Sequence, residues 1–434
     1  MTNKIVINLA RTSKIFQPLP SGIFANKDKT EILSKSYKLM INYGIIKSVS
    51  TGMYSILPLG MRVLNKLIKI IDKEMTDLGA EKIMLPALTS AKLWKKSNRY
   101  NSNKTELFTV TDRHDKEYIL SPTYEEAICD LVSATYLPEK SLPLRLYQIS
   151  SKWRDEMKPR LGFIRSREFI MKDLYTFDTT LNKAQDTYNL VCESYSNIFK
   201  QIGIDHMKAV GDVGTIGGLS SHEYHYISDI GEDVILWCSS CNYTINEIIS
   251  KITTCPECKG ELQRHNSVEI GHTFLLNTKY SQPLNAMYIE NNKLKPMIMG
   301  CYGLGVSRIF ALIVEILSTN NEMRWPTKLA PYTACIIPPK TGSKEEYISA
   351  YIEQLFEILQ KRDIDTILDD RTQFTIGKRL VYARAIGYPY IIVIGKAATQ
   401  SIPLFEIHDI NNSVSHKLSL EQISGFFDNV NLQD

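Results

Sequence analysis

Residues Trp153–Asp173 read WRDEMKPRLGFIRSREFIMKD. Ten charged side chains fall in these 21 positions, from Arg154 to Asp173. An apolar run, RLYQIS, precedes the stretch, and the returning run REFIMKDLYTF follows from Arg167. Apolar run, charged loop and apolar run spell strand, loop, strand. A solvated surface loop explains such charge cheaply. The spacing adds a second reading. In a strand, residues two apart share a face, which pairs Arg154 with Glu156 and Arg167 with Phe169. One sheet surface would then offer guanidinium for phosphate, carboxylate for an amino group and a ring for stacking, a set that suits a nucleoside triphosphate.

Outward from this hairpin, the 434 residues allow two to three domains, and 44% hydrophobic with 23% charged residues is an ordinary globular composition. A formal charge of +4 is a weak hint of a nucleic-acid partner. No apolar run approaches the ~20 residues of a membrane span. Residues 1–27 contain Lys4, Arg11, Lys14 and Lys27 but no acid. That pattern fits an organellar targeting segment, and equally a frayed basic terminus.

Along the chain, apolar residues from Val63 to Leu78 keep helical spacing up to Gly79, and EKIMLPAL reads as a short strand broken by Pro86. A strand at YILSP leads to a helix starting near Thr123, where Thr123 is a candidate N-cap with Glu126 as its capping-box partner. Residues 181–202 form a second amphipathic helix, with Ala184, Tyr188, Val191, Tyr195 and Phe199 on one face. Cys238, Cys241, Cys255 and Cys258 form two C-x-x-C knuckles 13 residues apart. Four thiolates at this spacing suit a structural Zn²⁺ with no open position; two disulfides or a degenerate ribbon are the alternatives. MGCYGLGVSRIFALIVE places Gly300, Gly303 and Gly305 before Ser307-Arg308 and an apolar helix. Such glycines let backbone approach a ligand, or pack a helix closely on a strand. After the proline-marked RWPTKLAPY, strands at TACIIP, DTILDD and YIIVIG alternate with helices near 344–361 and 377–386, which implies an α/β layer.

The Trp153–Asp173 hairpin resembles motif 2 of class II aminoacyl-tRNA synthetases, in the form found in prolyl-tRNA synthetases. The helix and strand before it are similar to motif 1, and Gly300–Arg308 is similar to motif 3. Pro122-Thr123-Tyr124-Glu125-Glu126 resembles the family's Pro-Thr-His-Glu-Glu, with Tyr124 at the His. GTIGGLSSHEYHY and EIGHTFLLNTKYS resemble two further family segments, Asn277 standing at a turn glycine. DDRTQFTIGKRLVYARAIGYPYIIVIG resembles the shared anticodon-binding domain. With Phe16-Gln17-Pro18 near the N-terminus and a 126-residue interval 174–299 too short for an inserted editing domain, the resemblance is to the mitochondrial type.

This resemblance implies an α+β catalytic domain, an antiparallel sheet flanked by helices, over 28–330, with a ribbon-like insertion at 238–258. An α/β anticodon-binding domain over 331–434 and a mitochondrial transit segment within 1–27 complete it. It implies a proline–tRNA ligase using ATP with Mg²⁺, serving tRNA(Pro) in the mitochondrial matrix, dimeric through motif 1, with some alanine mischarging. The roles implied are as follows. Arg154 and Arg308 are catalytic. Arg154, Glu156, Arg167, Phe169, Gly305 and Arg308 hold ATP; Thr123, Glu125, Arg154 and His272 hold proline. Arg371 and Lys378, with Arg379, are candidates for tRNA. The rivals are a catalytically silent RNA-binding paralogue and a class II enzyme of other amino-acid specificity.

Overall fold

A computed structural model of the protein describes residues 9–18, 34–102, 104–428 and 430. The chain divides into two compact units: Ser50–Met53 with Ile68–Ile309, and Met1–Val49, Tyr54–Leu67 with Phe310–Asp434.

The Ile68–Ile309 unit is built on a nine-stranded sheet. Leu144–Trp153 and Glu168–Asp178 pair antiparallel, Glu168 opposite Trp153 and Phe177 opposite Leu144, so the expected hairpin is present. Ile298–Leu304 pairs with the far side of Glu168–Asp178, and Gln263–Asn277 pairs with Ile298–Leu304. The helix Leu181–Ile202 packs on one face of these strands. Thr180 caps it by accepting the Lys183 N–H, and Gly203, at φ 70°, ends it in the left-handed region. Its buried stripe runs Ala184, Tyr188, Val191, Tyr195, Ile198, Ile202. Each large apolar side chain so buried contributes roughly 1.5–3 kcal/mol.

Strand alternation then divides the sheet's side chains. Lys172, Tyr302 and Thr273 meet the helix: Lys172 Nζ donates to Tyr195 Oη, Thr273 Oγ1 lies 2.7 Å from Tyr188 Oη, and the Tyr188 and Tyr302 rings are 5.8 Å apart. Their neighbours Met171 and Asp173, Cys301 and Gly303, and His272 and Phe274 therefore fall on the opposite face, where they line a common cavity.

At its other end the sheet closes on itself. Ser220–Ile227, Met207–Val210, Thr244–Asn246, Asp233–Trp237 and Gln263–Asn277 pair in sequence, and Gln263–Asn277 pairs back to Ser220–Ile227. The Cys ribbon grows from this ring, around a small core of Leu236, Cys238, Ile245, Cys255 and Leu262.

The second unit carries a six-stranded sheet. Thr366–Leu368, Ala334–Ile337 and Tyr390–Val393 are parallel, as the alternation implied; Phe405–Asp409 and Val414–Leu418 add an antiparallel hairpin. Two expectations change here. First, part of the 1–27 targeting segment is structural. Ala10–Arg11 is an edge strand parallel to Ile367–Leu368, Leu9 lies in the core, and Ser13 binds both oxygens of Asp370, at 2.9 and 2.6 Å. The rest of 1–27 lies outside the described residues, apart from Thr12 to Pro18. Second, residues 34–49 and 54–67, expected in the catalytic domain, fall in the compact unit that holds Phe310–Asp434. The contacts responsible are polar and specific: Lys35 Nζ donates to Ser318 O at 2.6 Å, Ser36 N to Glu315 Oε2 at 2.6 Å, and Arg62 forks onto Asp365 at 2.6 and 2.8 Å.

Candidate active site

Thr123 sits at one end of the cavity. The helix after it is Glu125–Ser133, and its N-cap residue, Tyr124, makes no side-chain cap bond. Thr123 is therefore not the cap. Its hydroxyl lies 2.8 Å from both oxygens of Glu125, and Glu126 is taken by Arg99 and by the Ser97 hydroxyl at 2.7 Å. Glu125 is fully buried and also receives the Cys301 thiol at 2.9 Å and Arg99 Nη1 at 3.1 Å. Burial, with the charge of Glu125, pushes the Cys301 thiol well up, which keeps it a proton donor. One guanidinium thus faces two carboxylates behind the Thr123–Cys301 wall. The arrangement has a negative surplus next to a small pocket, suited to an ammonium.

Tyr124 does not line the cavity. It is buried over Lys152, whose Nζ lies 4.7 Å from the ring centroid and 2.7 Å from Asp173 Oδ1. The Tyr124 amide is anchored by the Tyr175 hydroxyl at 2.8 Å.

The other end of the cavity is cationic. Arg308 donates to Ile164 O at 3.0 Å and to Glu269 O at 2.6 Å, with the Glu269 carboxylate 3.9 Å away. Arg154 has a different status. Its guanidinium lies 5.2 Å from the centroid of Phe169 and makes no hydrogen bond or ion pair among the described residues. Desolvation lowers its pKa; Glu269 opposes that shift and repulsion from Arg308 adds to it. An arginine remains charged regardless. Two cations that repel each other across a cavity are relieved by an anion between them. Desolvation would raise Glu269, but a hydrogen bond from His272 and the nearby charges of His272 and Arg308 hold it at about 2.

The expectation that Arg154 and Glu156 share a strand face is corrected. The strand ends at Trp153, and Arg154 to Glu156 belong to the loop. Glu156 still lines the cavity with Phe169, its carboxylate accepting from Arg165 at 2.9 Å and its carbonyl from Arg167 Nε at 3.0 Å. Arg167 thus orders the loop, and it also pairs with Asp155 at 3.4 Å. Gly305 and His272 line the cavity as well. His272 stacks on Phe274, centroids 3.9 Å apart, and bonds Glu269 at 3.0 Å.

The tRNA candidates fare differently. Arg371 is committed to a bidentate pair with Asp369, at 2.9 and 2.6 Å, and lies 3.9 Å over Tyr382. Arg379 is buried, donating to Asp369 O and Pro338 O, so it is a structural strut. Lys378 Nζ lies over Phe374. The four ribbon thiols lie within 4.8 Å of one another, and Sγ pairs sit at 3.4 and 3.5 Å, too far for disulfides.

Sequence reasoning passed over Arg99, Asp173, Glu269 and Cys301. Only Cys301 carried a signal, through its period-two relation to Gly303 and Gly305. Residues 108–317 match the class II tRNA synthetase core domain (G, H, P, S and T), and 333–429 match an anticodon binding domain. A human probable proline–tRNA ligase, mitochondrial, is 45% identical over 408 residues, 91% of this chain and 86% of its own length. The chain belongs to the proline–tRNA ligase family. A fission yeast (Schizosaccharomyces pombe) relative of the same name is 36% identical, covering 85% of this chain and 90% of itself. A Giardia lamblia prolyl-tRNA synthetase, solved with prolyl-adenylate, superposes with a TM-score of 0.76 at 17% identity, over 91% of this chain and 78% of that one. At that identity the likeness is one of fold. The α+β catalytic domain and the separate anticodon-binding domain are therefore those of a class II synthetase.

Proposed function

We propose that this cavity joins L-proline to ATP and passes the prolyl group to the 3′ end of tRNA(Pro). The observation that carries the assignment is Arg154. Among the described residues it is a guanidinium without a hydrogen-bond partner, set between the Thr123–Glu125 end and Arg308. A substrate whose ammonium docks at Glu125 and whose carboxylate reaches Arg154 is a small amino acid.

In the first step a proline carboxylate oxygen bonds to the α-phosphorus, and the bond from that phosphorus to the bridging oxygen breaks, releasing pyrophosphate. The carboxylate is already ionised near neutral pH, so no general base is required. The protein contributes position and charge. Arg154 bridges the proline carboxylate and the α-phosphate, and Arg308 holds the γ-phosphate. Phe169 stacks the adenine, Glu156 accepts from its amino group, and Gly305 leaves room for the nucleotide. His272 closes the proline pocket. In the second step a hydroxyl of the terminal adenosine attacks the acyl carbon and AMP leaves.

Two ions fit the donor sets. Glu269, ionised and beside Arg308, suits the Mg²⁺ that accompanies ATP, an ion that would screen polyphosphate charge. Cys238, Cys241, Cys255 and Cys258 suit a structural Zn²⁺, since Zn–S bonds of about 2.3 Å place tetrahedral sulfurs roughly 3.8 Å apart. The names of the human and yeast relatives support a mitochondrial location. Exposed Met84 and Leu88, just beyond the motif 1 helix, support a homodimer there. Lys378 is the better placed of the candidate tRNA contacts, because Arg371 is already paired.

Arg154→Ala should abolish proline-dependent ATP–pyrophosphate exchange while the near-UV circular dichroism stays native. Retained exchange would sink the assignment.

A further inference from the structure

A buried carboxylate outside the reacting groups stands at the centre of the closed five-stranded ring. Glu223 and His225, two apart on Ser220–Ile227, point into the ring; Tyr224 points out toward Tyr195 and Phe199. Glu223 Oε2 lies 2.7 Å from His225 Nε2 and accepts from Asn246 Nδ2 at 2.7 Å. Its Oε1 accepts the backbone N–H of Asp212 at 3.2 Å and lies 3.9 Å from His272 Nε2. Ser267 Oγ, 3.0 Å from His225 Nδ1, closes the cluster. Glu223 is 6% exposed.

Two of these contacts reach the substrate cavity. Asp212 begins the 212–216 segment, every residue of which lines it. Ile216 packs on the apolar cluster that includes Cys301 and Phe274, and its carbonyl accepts from the Tyr280 hydroxyl at 2.8 Å. The segment therefore belongs to the amino-acid end. Gly211 permits the approach, since a Cβ there would come within 2.8 Å of Glu223 Cγ. The second contact is His272. Its Nδ1 is bonded to Glu269, while its Nε2 is buried without a hydrogen-bond partner and faces Glu223.

We propose that Glu223 is a positioning residue for the proline end of the site: its carboxylate fixes the 212–216 segment and the His272 ring, and Asn246 fixes the carboxylate. Asn246 does so from the short strand whose Ile245 enters the ribbon core, so the ribbon's order is passed to the pocket. This rests on the proline-and-ATP reading of the cavity. Glu223 touches no reacting atom, and its effect runs through groups that line one end only.

The experiment is pyrophosphate exchange on the full chain, with KM measured separately for proline and for ATP. Wild-type protein is assayed first, and absence of proline-dependent exchange there refutes the reading of the cavity itself. Glu223→Gln keeps the shape but sets an amide N–H₂ against the donors. It should raise the proline KM about tenfold, the scale of a displaced positioning group, and leave the ATP KM within about twofold. Unchanged KM values with a lower kcat would show a merely structural role and overturn the proposal. Equal rises in both KM values would overturn it too. If Glu223→Gln loses its native near-UV circular dichroism, Asn246→Ala decides. A proline KM raised about threefold or more supports the proposal, and an unchanged one refutes it.

Discussion

Arg99 offers the sharpest test of how the proline end is built. Its Nη1 lies 3.1 Å from Glu125 and 3.2 Å from Glu126, and the side chain is 4% exposed. The guanidinium also lies near two rings, 4.7 Å from the Trp94 centroid and 5.6 Å from that of Tyr280. Arg99→Met keeps much of the volume and removes the only cation, among the described residues, within salt-bridge distance of either carboxylate. Breaking a buried pair from one side costs about 3–5 kcal/mol, because the remaining charge is left in low dielectric. Two carboxylates would be left here. They would respond by taking up protons, as Glu126, already raised by desolvation, tends to do. A protonated Glu125 no longer attracts the proline ammonium, so the proline KM should rise about tenfold or more, tenfold being ~1.4 kcal/mol. Urea unfolding gives the stability, and pyrophosphate exchange gives the KM. A second variant separates pairing from packing. Glu126→Gln in the Arg99→Met background removes the excess charge, so it should recover about 1–3 kcal/mol as a coupling energy in the double-mutant cycle. Stability within ~0.5 kcal/mol of wild type for Arg99→Met, or strict additivity in the cycle, would refute the account.

Two further outcomes are expected. Lys172 is buried against Tyr195, and desolvation, opposed by the charge of Asp173, lowers its pKa to about 7. The folded state then binds fewer protons than the unfolded one between that value and the unfolded ~10.4, so this residue makes stability rise with pH across the window. The full span is on the order of 4–5 kcal/mol. Lys172→Met should be more stable at pH 7 and should flatten the rise between pH 7 and 10; an unaltered slope speaks against the burial argument. At the other end of the chain, removal of residues 1–17 strips Leu9 from its core and leaves Asp370 without Ser13, at a cost of roughly 2–3 kcal/mol in the C-terminal unit. Urea unfolding of the truncated against the full chain reads that loss, and unchanged stability would refute the packing of Leu9.

What could be read in the sequence, and what could not, follows the range of the interactions. The helix 181–202 was legible from its apolar stripe, because that stripe, like the Thr180 cap and the terminal Gly203 that bound it, is local. The family resemblance pointed to Thr123, Glu125 and Arg308, whereas Cys301 was passed over although it stands two residues before Gly303 on the same strand. Local rules misassigned the groups whose partners lie far along the chain. Thr123 looked like a helix cap until Glu125, Cys301 and Arg99 were seen to share one buried cluster. Arg379 looked like a surface cation, yet it holds Pro338 O at 2.6 Å across 41 residues. Leu9 to Ser13 had the composition of a targeting segment, yet Ala10–Arg11 within it pairs with Ile367–Leu368. In each case composition gave the chemical type of the side chain, and only topology supplied its counterpart. The same logic explains why Arg154 was found from sequence and Glu223 was not. Arg154 stands in a charged hairpin whose resemblance to motif 2 is carried by one local string. Glu223 is defined by four elements that meet only when the ring closes.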